Sequence, residues 1–169
     1  MTLKYFAYGS NMLHYRLWQR VPSCRVLDCV SVRGYSLNYF IRGIDNSGKC
    51  NIIETGQDID CVHGVVFEMA KSDLHRLDAA EGESYEKSEI VLQGEVEQHR
   101  AFVYIGREAY IDTDLKPFDW YKAIVVEGAR SHNLPDEYIL NLNAVVAKKD
   151  SDQERSKNNF KIIESIVPE

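Results

Sequence analysis

The sequence predicts an α+β domain built on a mixed or barrel-like sheet, and three observations carry that expectation. Residues 24 to 68 are a succession of short β-branched and aromatic runs, CRVLDCVSV, YSLNYFI, CNIIE and CVHGVVFEM, separated by Gly, Asn and Asp clusters. Strand-like and helix-like segments do not alternate regularly along the chain, which argues against a doubly wound Rossmann sheet. There is no internal repeat. At 169 residues the chain fits one domain, large enough to bury a core without staples or metals.

LKYFAY is aromatic-rich and reads as a strand, broken by Gly9-Ser10-Asn11. NMLHYRLWQRV then places Met12, Tyr15, Leu17 and Trp18 partly on helical spacing, with Ser10 or Asn11 as the natural N-cap and Pro22 at the end. The β-rich region follows, with IDNSGK as a hairpin connection. KSDLHRLDAAEG reads as a short helix with Ser72 as N-cap, Leu74 and Leu77 on one face and Gly82 closing it. YEKSEIVLQ and EQHRAFVYIG are two more strands, joined by a QGEV turn. DWYKAIVVEGARSHN and PDEYILNLNAVVA are helical, the second opened by Pro135. The expected domain spans residues 1–146. Residues 147–169 are expected as a polar, charged tail, loose through KKDSDQERSKNN, whose last apolar piece, FKIIESIV, docks back as helix or strand.

Net charge is −6 and the isoelectric point about 5.4, which argues against a nucleic-acid or anionic-membrane surface. No apolar stretch approaches the ~20 residues that span a bilayer, and MTLKYFAYGSN lacks the apolar core of a secretory signal. The expectation is a cytoplasmic protein with no nucleic-acid or membrane partner. Cys24, Cys29, Cys50 and Cys61 form no CxxC pair, and the histidines show neither HxxxH nor HExxH. The cysteines are therefore expected as buried or half-buried thiols in a reducing compartment, and no metal site is expected.

Three features can carry chemistry. A strand that ends at Gly9-Ser10-Asn11 and opens a helix aims backbone N–H groups one way, which suits a carboxylate or an oxyanion. The same break also serves as nothing more than a capped turn. Phosphate-binding GxxxxGK[ST] and GxGxxG are absent, and without GxSxG Ser10 is a poor candidate nucleophile. In LDAAEGESYEK, Glu81 sits at a helix end beside Gly82, where burial would raise its pKa toward the range of a general base. Asp78, Glu83 and Glu86 lie nearby, and a charge-rich turn is as readily a solvated one. Tyr104 in AFVYIG and Tyr121 in PFDWYKAIVVEGA can offer hydroxyls from apolar surroundings, although core packing is the commoner fate of a tyrosine.

Taken in order, YFAYGSNM, GVVFEM, LDAAEG, AFVYI and WYKAIVVEGARSHNLPDEYILNL resemble the γ-glutamylcyclotransferase-like family, related to the AIG2-like proteins, from about residue 4 to residue 146. The likeness is closest to the γ-glutamylcyclotransferase branch proper. It implies a small mixed β-barrel flanked by helices, with no cofactor and no metal. It puts the substrate-binding loop on Tyr5, Phe6, Ala7, Tyr8, Gly9, Ser10 and Asn11, the catalytic glutamate on Glu81, and the substrate-side tyrosines on Tyr104 and Tyr121. Where many members follow the Glu-Gly turn with an aromatic and then a basic residue two positions on, this chain reads Tyr85-Glu86-Lys87, keeping the charge without a guanidinium fork.

The implied activity is intramolecular cyclisation of a small-molecule γ-glutamyl amino acid or peptide to 5-oxoproline, with release of the attached amine. A non-catalytic pocket for a carboxylate-bearing metabolite is one alternative. A cyclotransferase acting on a carrier-linked or specialised-metabolite amide is another. Leaving-group choice falls to the loops around 41–60 and 107–119, and the assembly is expected to be a monomer or homodimer.

Overall fold

Tyr5, Phe6 and Ala7 are buried at the end of the first strand, β1 (Thr2–Ala7), whose entry at Thr2 is exposed. Burial of that half draws the strand to the centre of the chain's sheet. In the computed structural model, which describes residues 1–94, 97–165 and 167, β1 joins β2 (Arg25–Arg33), β5 (Cys61–Ala70), β6 (Tyr85–Gln93) and β7 (Gln98–Gly106) in a closed barrel. The order round the barrel is β1-β5-β2-β6-β7. Neighbours are antiparallel except at the closure, where β7 meets β1 in parallel at Tyr5 and Phe102. The sheet is therefore mixed and barrel-shaped, as expected. A bulge between Val26 and Asp28 shifts the register of β2 against β5, a device that bends a strand round a barrel.

The strands β3 (Tyr35–Arg42) and β4 (Gly48–Glu54) pair with each other as a separate two-stranded sheet, and Ile41 of β3 makes an isolated bridge to Ile111. Their connection is the anticipated hairpin, with Asn46 at φ 56° and the Gly43 N–H donating to Ser47 O at 2.9 Å. For the β6–β7 connection, residues 95 and 96 of the expected QGEV turn lie outside the described residues.

The helices surround the barrel: α1 (His14–Arg20), α2 (Leu74–Glu81), α3 (Asp119–Ser131), α4 (Asp136–Ala144) and α5 (Gln153–Ile163). α3 is buried along Trp120, Tyr121, Ile124, Val125, Val126, Gly128 and Ala129, and it packs against the segment just after β1. A Cβ at Gly128 would stand 2.7 Å from Leu13 N and 2.9 Å from Met12 C, so only glycine lets the helix approach that backbone.

Three local expectations change. The helix after β1 is split: Ser10–Met12 form a 3₁₀ turn, and α1 starts only at His14 with no side-chain cap. Neither Ser10 nor Asn11 caps it, because the Asn11 side chain is bonded to Tyr5, Arg20 and Glu81 and the Ser10 hydroxyl accepts from Arg16. Ser72 is likewise no cap; it lies in a 3₁₀ turn, Lys71–Asp73, that leads into α2. Gly82 does close α2, with φ 67°.

The polar stretch after 147 is not loose. Asp152 caps α5 by accepting from Arg155 N, and Asp150 accepts from Arg155 and from the Trp120 indole. Backbone bonds from Asp119 N to Lys148 O and from Lys148 N to Pro117 O tie this region to the start of α3. Charge density argued for a solvated tail, and a buried acid with an arginine and an indole outweighed it.

Candidate functional site

β1 delivers Tyr5 to the barrel's end, and the chain then turns sharply through Gly9. The 3₁₀ turn that follows makes its own bonds from Met12 N to Gly9 O (3.0 Å) and from Leu13 N to Ser10 O (3.3 Å). The N–H groups of its opening residues have no acceptor within so short a turn. A Cβ on Gly9 would meet Cys50 Cβ at 2.9 Å, so the loop lies directly on β4.

Opposite the loop, α2 ends at Glu81. The Glu81 side chain is 14% exposed and lies 3.6 Å from Arg20 Nη1. Asn11 Nδ2 donates to Glu81 Oε1 at 2.8 Å and to the Tyr5 hydroxyl at 3.0 Å, while Arg20 Nη1 donates to Asn11 Oδ1 at 2.7 Å. Burial raises the Glu81 carboxyl above its ordinary range, and Arg20, the Asn11 hydrogen bond and Arg16 hold it back. The result is a carboxylate that takes a proton more readily than a surface glutamate does.

Tyr5, Tyr8, Gly9, Ser10 and Asn11 line a recess of about 30 Å³ together with Glu81, Tyr104 and Tyr121. Eight of the ten anticipated residues are thus brought together across ~70 to ~110 positions of sequence, distances only tertiary folding spans. Phe6 and Ala7 do not line it. Both are in the core, Phe6 wholly buried, where they hold the strand that carries the loop.

Each tyrosine has a bonded position. The Tyr8 hydroxyl donates to Tyr104 O at 2.6 Å, and the Tyr121 hydroxyl accepts from Cys50 N at 3.2 Å. The Tyr104 hydroxyl donates to Asp78, which Lys87 pairs at 2.9 Å, so the phenolic oxygen of this lining residue is already committed. Burial keeps the hydroxyls of Tyr5, Tyr8 and Tyr121 protonated far above neutral pH. Among these residues Glu81 is the one carboxyl, and burial makes it a stronger proton acceptor than a surface glutamate.

Sequence reasoning left out several residues. Cys50 and Tyr85 also line the recess, and the Tyr85 hydroxyl donates to Cys50 O at 2.7 Å. A second cavity of about 310 Å³ adjoins, sharing Ser10, Glu81, Tyr85 and Tyr121 and adding Arg16, Arg20, Asp45, Lys49 and Trp120. One signal was readable: Arg16 and Arg20 stand four apart, which puts both guanidinium groups on one face of α1. The contributions of β4 and of Trp120 had no such signal. Among the described residues no cluster of His, Cys, Asp and Glu has the arrangement of a metal site, and no helix is long and apolar enough to cross a membrane.

A closed barrel ending in a small polar recess with one buried carboxylate is the build of an enzyme for a small polar molecule. Known proteins narrow the class. The AIG2-like family model matches residues 61–142, which include Glu81, Tyr104 and Tyr121. The γ-glutamylcyclotransferase of Mus musculus is 32% identical over 154 residues, covering 85% of this chain and 79% of its own length. That of Homo sapiens is 32% identical over 155 residues, covering 83% and 77%. A solved structure described as a γ-glutamyl cyclotransferase superposes with a TM-score of 0.84 at 26% identity, covering 95% of this chain and 99% of that one. The chain belongs to the γ-glutamylcyclotransferase family, a family of enzymes.

Proposed function

We propose that this protein releases 5-oxoproline from small γ-glutamyl compounds, with Glu81 as the proton-transfer group. The observation that carries the reading is the Glu81 carboxylate, buried, raised in pKa and aimed by Asn11 into the recess beneath the Gly9-Ser10-Asn11 loop.

The nucleophile is the substrate's own α-amino group. Its nitrogen attacks the γ-carbonyl carbon, a C–N bond closes the five-membered ring, and the original amide C–N bond breaks to free the attached amine. Holding the glutamyl chain curled makes the reaction intramolecular, an advantage with effective molarities of ~10⁵–10⁸ M in favourable geometries. The α-ammonium must first lose a proton. Glu81 accepts it and gives it to the departing nitrogen, then takes the second proton that the ring nitrogen sheds on closure and passes it to the released amine, which leaves as an ammonium, so the carboxylate ends the cycle as it began.

The N–H groups opening the Gly9-Ser10-Asn11 turn suit the substrate's α-carboxylate or the tetrahedral oxyanion, and such donors contribute ~3 kcal/mol each to the transition state. Tyr5, Tyr8, Tyr104 and Tyr121 line the recess. Ser10 is a turn residue whose hydroxyl serves Arg16 rather than a nucleophile. A mere binder of carboxylates would gain nothing from a carboxylate in its pocket, which favours the enzyme over a binding module. Buried Cys24 and Cys50 thiols support residence in a reducing compartment such as the cytoplasm.

The test is a panel of γ-glutamyl compounds incubated with the wild type and with Glu81→Gln, reading 5-oxoproline by mass spectrometry. Turnover by the wild type and its loss in the variant, with substrate still bound, is the expected result. Wild-type release by Glu81→Gln would remove Glu81 from the role of base. Binding without product from the wild type would point to the binding module.

A further inference from the structure

The outer cavity holds a cation that, among the described residues, makes no direct ion pair: Glu81 and Asp45 act on Arg16 only from beyond contact distance. Of the charged groups that line it, Lys49 is paired with Asp45 at 2.7 Å and Arg20 stands 3.6 Å from Glu81, while Glu83 is exposed at the rim. Arg16 is different. Its Nε donates to the Ser10 hydroxyl at 3.2 Å and its Nη1 to the Asn159 side-chain oxygen at 3.4 Å, both neutral acceptors and neither of them short. Among the described residues no carboxylate pairs with it.

Burial pushes the Arg16 guanidinium down to about 10, the like charge of Arg20 adds to that, and Tyr121, Glu81 and Asp45 offset it only in part, so it remains charged at neutral pH with no carboxylate in contact. A cation removed from water without a counter-charge costs several kcal/mol unless something supplies one. The planar fork of arginine matches a carboxylate in two-point geometry. Its place in the fold says which carboxylate. On the cyclotransferase reading the recess beside Glu81 takes the reacting glutamyl end, and the cavity of about 310 Å³ begins where Glu81 and Tyr121 are shared. Whatever lies beyond the scissile amide must therefore occupy the outer cavity.

We infer that Arg16 is a specificity-determining residue that binds a carboxylate on the leaving amine, so that the outer cavity selects γ-glutamyl amino acids or peptides with an acid close to the scissile bond over plain amines. The inference rests on the cyclotransferase reading above. Asn159, reaching Arg16 from α5, holds the guanidinium in place, so the C-terminal helix completes this subsite.

The experiment compares γ-glutamylalanine with γ-glutamylalaninamide, which differ only in a carboxylate replaced by a carboxamide. Hydrogen bonds to charged groups are worth enough that the wild type should favour the acid by about tenfold or more in kcat/KM. In Arg16→Gln that ratio should fall toward one. Arg16→Lys, which keeps the charge without the fork, should retain an intermediate ratio, and it serves alone if Arg16→Gln does not fold. A wild-type ratio near one, with 5-oxoproline released from both, overturns the inference and leaves the cyclotransferase reading standing. Equal losses on both substrates in Arg16→Gln also overturn it, since Arg16 would then hold a group common to both. No 5-oxoproline from either substrate overturns the cyclotransferase reading itself and the inference with it.

Discussion

Asn11 and Glu81, seventy positions apart in sequence, are joined by a 2.8 Å hydrogen bond from amide to carboxylate. The amide is itself fixed, since Arg20 bonds its oxygen and Tyr5 accepts its second N–H contact. Orientation of the candidate base thus comes from the loop that forms the opposite wall of the recess.

Removing that amide should move the pH dependence of the reaction. The Asn11 bond favours ionised Glu81 against burial, so Asn11→Ala raises the pKa further. A base works only when deprotonated, and the acid limb of kcat/KM should shift to higher pH. Loss of a charged hydrogen bond predicts a fall of ~10-fold or more at neutral pH. An acid limb at the wild-type position would show that Asn11 does not tune the base.

Glu81→Gln should unfold at a higher temperature than the wild type at pH 7 while losing activity. A carboxyl whose folded pKa lies above its ordinary value of 4.5 binds its proton more tightly in the folded state. The stability it contributes is full below that value and is lost as pH rises through the folded pKa. The gap between the two proteins should therefore close as thermal melts are repeated toward pH 4. A variant less stable than the wild type at every pH would contradict the sign.

Gly9→Ala should disrupt the loop by contact rather than by backbone strain. Its new methyl would stand 2.9 Å from Cys50 Cβ, and overpacking of this kind costs ~1–3 kcal/mol. Cys50→Gly removes the offending atoms, so the double variant should recover activity relative to Gly9→Ala. Additive losses in the double-mutant cycle would place the defect elsewhere.

Arg155→Ala should loosen α5 and, through Asn159, the cavity wall. Hydrogen bonds from Arg155 hold the Asp150 carboxyl well below its usual range, against burial. That stability is present above the ordinary value of 3.8 and is lost as pH falls through the depressed folded value. The variant should therefore show a lower urea midpoint at pH 7, with the difference from wild type shrinking in strong acid.

Local chemistry made much of the molecule legible in advance. β-branched and aromatic runs marked every barrel strand, Gly82 marked the end of α2, and a Gly-Ser-Asn break after an aromatic strand marked the loop. These are signals of period and of backbone conformation, both carried within a few residues. The family resemblance added Glu81, which physical patterning alone left among several acids in a charged turn.

Other features depend on contacts that no local pattern encodes. Ser10 and Asn11 look like helix caps, but their side chains are drawn to Arg16 and to Glu81. Residues 148–159 look like a solvated stretch, but Asp150 is buried against Trp120 and Arg155. The sequence by itself determined the strands, the β3–β4 hairpin and the loop, because those follow from side-chain period and backbone preference. Only the tertiary structure decided that Glu81 is buried and that Arg16 has no carboxylate in contact among the described residues, because burial and charge pairing are properties of what the fold brings alongside.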